Sequence, residues 1–156
     1  MKGIYRFAFL ALIAQMAFAQ SPVGNEFTAM RKALGENAIS TFVVLRLADN
    51  ISTRVDVRPQ VLREAHPPTQ KYKIEMNDSR ATLLMDWINQ AKFTPRKRSP
   101  DCRWGLLFID RNGKEVGSIF SDSFGRAGNV DGYNLDFPAD THLLDIIHAL
   151  VGPDVK

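Results

Sequence analysis

Two short polar turns constrain this chain more than any other feature. Asp110-Arg111-Asn112-Gly113 separates Trp104–Ile109 (WGLLFI) from Glu115–Ser121 (EVGSIFS), and Asp131-Gly132 separates Val130 from Tyr133. Asp110 can accept backbone N–H bonds, and Gly113 can take a positive φ without a Cβ clash. Asp-Gly is a strong two-residue hairpin signal. Strands joined by so few residues must run antiparallel, because a parallel crossover needs a dozen residues or more. In the first hairpin, Trp104, Leu106 and Phe108 share one face, with Val116 and Phe120 as their expected cross-strand partners.

The remaining pattern supplies partners for these hairpins. Thr41–Leu47 (TFVVLRL) is β-branched and apolar enough for a strand buried on both faces. Ile51–Val57 (ISTRVDV) alternates with period two and predicts a second strand, joined to the first through Ala48-Asp49-Asn50. Lys71–Met76 alternates again, with Tyr72, Ile74 and Met76 facing inward. Asn77 or Asp78 then caps a helix whose stripe is Ala81, Leu84, Trp87, Ile88 and Ala91. A first helix capped by Asn25 carries Phe27, Met30 and Leu34. One or two helical turns fit Pro59–Ala65, ended by His66-Pro67-Pro68. A last helix begins near Pro138 or Asp140, buries Leu143, Ile146, Ile147 and Leu150, and stops at Gly152-Pro153. Lys92–Asp101 reads as a loop. The expected fold is α+β, a mostly antiparallel sheet of five to six strands with helices packed on one face. A thioredoxin-like α/β order over residues 71–151 is the alternative, without a redox motif, because the chain has no C-x-x-C.

Residues 1–19 read as a secretory signal peptide. Lys2 and Arg6 precede the apolar run Phe7–Ala14, and Ala17-Phe18-Ala19 offers a small-x-small cleavage site before Gln20. Export to a periplasmic or extracellular location follows as the expectation, with residues 20–156 forming a single α+β domain. The whole chain has a formal net charge of +3. Without the leader, 18 basic residues face 17 acidic ones, so charge gives no case for nucleic acid. No membrane contact is expected after cleavage.

Catalytic chemistry has few candidates. Cys102 is the only cysteine. The basic stretch Arg96-Lys97-Arg98 and adjacent Arg103 could lower its pKa, but a packed cysteine at the start of a strand explains it as well. His142 and His148 lie six apart, roughly 240° around a helix, and His66 sits in a proline turn, so no metal site or cofactor is expected. Asp101, Asp110, Asp122, Asp131, Asp136 and Asp140 could supply a carboxylate pair, yet most occupy turns or caps. Two loops look more useful for binding. One carries Arg96, Lys97, Arg98 and Arg103. The other carries Phe124 and Arg126, residue types enriched at interface centres. The sequence therefore predicts a non-enzymatic binding module, of inhibitor or immunity type, that acts on a partner protein or an anionic envelope polymer. The alternative is an envelope or cell-wall hydrolase using Cys102 or two carboxylates.

Overall fold

The computed structural model describes residues 27–48, 50–66, 68–138 and 143–152. The leader at 1–19, the Asn25 cap, Asp49, Asp140 and His142 lie outside the described residues. The elements run α1 (Thr28–Gly35), β1 (Ile39–Leu47), α2 (Pro59–Glu64), β2 (Thr69–Glu75) and α3 (Asp78–Gln90). They continue β3 (Thr94–Pro95), β4 (Trp104–Asp110), β5 (Glu115–Ser121), β6 (Ala127–Val130), β7 (Tyr133–Asp136) and α4 (Leu143–Val151). The fold is α+β, as expected. Its seven strands are ordered β2-β1-β4-β5-β6-β7-β3, and each neighbouring pair is antiparallel. An α/β order needs parallel neighbours joined by crossovers, so the thioredoxin-like alternative does not hold.

The seventh strand comes from a segment expected to be loop. Thr94 and Pro95 pair with Asp136 and Leu135 at the sheet's rim. Pro95 lacks an N–H to donate, and an edge strand tolerates that. At the opposite rim, β2 alternates as expected: Lys71, Lys73 and Glu75 are exposed while Tyr72 and Ile74 pack inward.

Helices cover both faces rather than one. α1, α3 and α4 pack on the larger core, which contains Met30, Phe42, Leu84, Trp87, Leu106, Phe108, Ile119 and Ile147. The short helix α2 lies on the other face, where Leu62 meets Val43, Leu45, Leu47, Val57, Cys102 and Phe120. β1 explains the second core. Its Phe42 and Val44 face the larger core and its Val43, Leu45 and Leu47 the smaller one, so even and odd residues each need an apolar layer. In α3, the Asn77 side chain accepts the Arg80 N–H at 2.9 Å, as its capping position predicted. The Arg80 guanidinium in turn donates to the carbonyls of Leu150 and Glu75, each at 2.9 Å, tying α3 to the end of α4 and to β2.

Both hairpins form where the turn residues placed them. Asp110 accepts the N–H groups of Asn112 and Lys114, each at 2.8 Å. Asp131 and Gly132 both take positive φ, 47° and 96°, the conformation a two-residue primed turn demands. One cross-strand expectation fails. Leu106 faces Ile119, and Phe120 lies opposite Gly105 on the other side of the sheet. The register shifts between the Phe108↔Gly117 and Ile109↔Glu115 pairs, leaving Val116 as the extra residue of a bulge. Beyond a bulge, alternation reverses, so Val116 and Phe120 point to opposite faces.

The expected strand over Ile51–Val57 is also absent. These residues form an irregular loop. β1 is flanked on one side by β2 and on the other by β4, so no edge of β1 remains for Ile51–Val57 to pair with.

Candidate functional site

Three loops converge at one side of the second core, and each is fixed from below. The first is 51–58. Asp101 and Arg103, just before β4, hold both of its ends. The Arg103 guanidinium donates to Ile51 O at 2.6 Å and to Thr53 Oγ1 at 3.2 Å. Asp101 Oδ1 accepts the Val57 N–H at 2.8 Å, and Cys102 N–H reaches Val57 O at 2.8 Å. Arg103 also grips Asp101 Oδ2 through Nε and Nη2, at 2.9 and 2.7 Å. Such a two-pronged contact orients both groups. The tip of this loop presents Arg54 and Val55, and Val55 is 77% exposed.

The second loop, 122–126, closes on its own aspartate. Asp122 Oδ1 accepts the N–H groups of Phe124 at 3.1 Å and Arg126 at 2.9 Å. Gly125 turns with φ 66° against Leu144 of α4. This geometry pushes Phe124 outward, 72% exposed, with the Arg126 guanidinium 5.5 Å from its ring centre. The third loop, 96–100, is pinned at its start: Arg96 N–H reaches Asn134 O at 2.8 Å, and its guanidinium pairs with Asp136 at 2.5 Å. Lys97 and Arg98 follow, exposed, and Pro100 is buried.

A cavity of about 350 Å³ lies between these loops, lined by Asp56, Arg96, Arg98, Pro100, Asp122 and Phe124 among others. It adjoins a broader hollow of about 740 Å³, lined by Arg54, Val55, Asp56, Arg58, Val61, Arg98 and Ser99. Of the residues expected to bind, the structure brings Arg96, Arg98 and Phe124 to this face and sets Arg126 beside Phe124. Lys97 is in the same loop. Arg103 sits behind them, 9% exposed, positioning the 51–57 loop. Sequence reasoning missed Arg54, Val55, Arg58 and Val61. Arg54 and Val55 fell in the expected strand over 51–57, Arg58 and Val61 at or in the expected helical turns over 59–65, and no local pattern joins them.

Cys102 lies beneath this face with no exposed surface, its Sγ 3.6 Å from Pro100 O. Burial, reinforced by the carboxylates of Asp101 and Asp122, pushes its thiol up to about 12. The nucleophilic thiolate is therefore disfavoured at neutral pH. Alkylation of the folded chain with iodoacetamide should be slow and should track unfolding. Rapid native labelling at neutral pH would show a thiol far more accessible than this.

The carboxylates are engaged too. Asp101, Asp110 and Asp122 each accept two or more hydrogen bonds, and Asp136 pairs with Arg96. Asp131 accepts Ser118 N–H at 2.6 Å. Its burial outweighs that bond and raises its pKa. The His148 ring lies edge-on to Trp104 at 5.8 Å. Among the described residues, no three His, Cys, Asp or Glu side chains cluster as metal ligands would, and no helix is long and apolar enough to cross a membrane. Compared with protein-family models, curated proteins and solved structures, the chain matches none.

Proposed function

We propose that this chain is an exported, non-enzymatic binding module that captures a partner protein through loops 51–58, 96–100 and 122–126. One observation carries the reading. Val55, Val61 and Phe124 are 77%, 54% and 72% exposed on one face, among arginines. Large apolar side chains gathered at a surface mark contact sites, and an aromatic beside arginine is the composition of interface centres. Two of the loops are held by internal hydrogen bonds, so little ordering remains to oppose association. The export half of the reading rests on residues 1–19. An inhibitor or immunity-type role, in which this face caps a partner enzyme, is the form of capture it suits.

The test is affinity capture from the native envelope with the leaderless chain. Arg98→Glu and Phe124→Ala should each weaken capture by about tenfold or more, the range of centrally placed interface residues. Both sites are exposed, so melting temperatures should stay within about 2 °C of the parent. Parental capture by both variants would remove the proposal.

A further inference from the structure

Resting on that reading, we infer that the hollow between Arg54, Arg58 and Arg98 takes an extended acidic segment of the partner that also carries an apolar side chain. Arginines near this face differ in their partners. Arg63, Arg96 and Arg103 are each paired with a carboxylate inside the fold. Arg54, Arg58 and Arg98 make no ion pair or side-chain hydrogen bond among the described residues, yet all three line the same hollow. Asp56 is the only acidic residue in that lining. The leaderless chain is close to neutral, so this positive field is local rather than a property of the whole surface.

Three guanidiniums without internal partners match carboxylates in geometry as well as sign. Val55 and Val61 line the same hollow and are exposed. An anionic polysaccharide offers two valines only the shallow C–H faces of its rings, whereas an acidic peptide with a leucine or valine offers a whole apolar side chain. The hollow is about 740 Å³ in volume and opens beside the Phe124 cavity, which suits a stretch of chain better than a single small anion.

The experiment titrates the leaderless chain with a short blocked peptide of glutamates around two central leucines. Binding is read from the methyl signals of Val55 and Val61. The expected result is saturable binding that shifts both valines and weakens about tenfold when glutamine replaces glutamate. The Arg58→Glu, Arg98→Glu double variant should weaken it by a similar factor, and added salt should weaken it further. Equal binding of the glutamine peptide, or shifts confined to other residues, would overturn the inference. So would polygalacturonate binding as tightly at the same valines. Sedimentation of the chain alone covers the remaining occupant. The trough between α1 and α3 is bordered by Asp78 and Asp86 beside Leu34 and Met85. Self-association abolished by Arg58→Glu would assign the hollow to that trough in a second copy, and overturn the partner segment. If no peptide binds while envelope capture still depends on Arg98 and Phe124, this inference falls and the protein-binding reading stands.

Discussion

Arg103→Met should leave a folded sheet whose 51–57 loop has come loose. The substitution keeps an apolar stem against the second core but removes the donors to Ile51 O, Thr53 Oγ1 and Asp101. Asp101 is 35% exposed and keeps its bond from the Val57 N–H, so water offsets part of the loss and the cost is about 2 kcal/mol. For a domain of this size that corresponds to a fall in melting temperature on the order of 10 °C. Amide exchange should accelerate at Val57, and partner capture should fall although Arg103 itself is not at the surface. Arg103→Lys should recover only part of the loss, because an ammonium cannot make the two-pronged contact. A melting temperature within about 1 °C of the parent, with unchanged protection at Val57, would show that the pair does not hold the loop.

Gly128→Ala should be the more damaging substitution. A Cβ built at this position lies 2.2 Å from the Phe120 carbonyl oxygen and 2.3 Å from Cζ of Phe137. Neither neighbour can yield easily. Ser121 pairs with Gly128 in the β5–β6 ladder, so the Phe120 carbonyl belongs to a paired strand. The Phe137 ring packs at right angles to Phe93 and Trp87, 5.7 and 6.0 Å between ring centres. Overpacking against backbone falls at or beyond the upper end of the usual range, about 3 kcal/mol. Gly35→Ala is the control: nothing lies within 4 Å of its added Cβ, and alanine is the better helix former. If Gly128→Ala melts with the parent, strands β5 and β6 are not packed as described.

The parts of the fold that sequence reasoning recovered are those whose signals are local. Asp131-Gly132 needs only itself to demand a primed turn, and Asn77 finds its acceptor role three residues away. The helical stripe of α3 likewise depends on spacing within one element. The misreadings required knowledge of other segments. Ile51–Val57 alternates like a strand, but whether it becomes one depends on whether β1 has a free edge, and β2 and β4 occupy both. The Val116 bulge follows from pairing with β4, and no residue in E-V-G-S-I-F announces it. β3 is two residues long and owes its existence to β7. The candidate site divides the same way. Arg98 and Phe124 were legible because exposed basic and aromatic residues in loops stand out. Arg54 was hidden by the strand reading of 51–57, and Arg58 and Val61 by the long-range contacts that bring their segments beside Arg98. Arg103 was credited with a surface role because sequence gives charge but not depth.

β2 bears on how this chain behaves in crowded solution. A bare outer strand invites other polypeptides to extend the sheet indefinitely. Here an incoming strand would meet the ammonium groups of Lys71 and Lys73 on one side, each losing water as the strands close. At the far rim, Pro95 withholds a donor. Both ends of the sheet thus discourage fibrous growth, which would let the proposed three-loop face stay adhesive without making the whole molecule so.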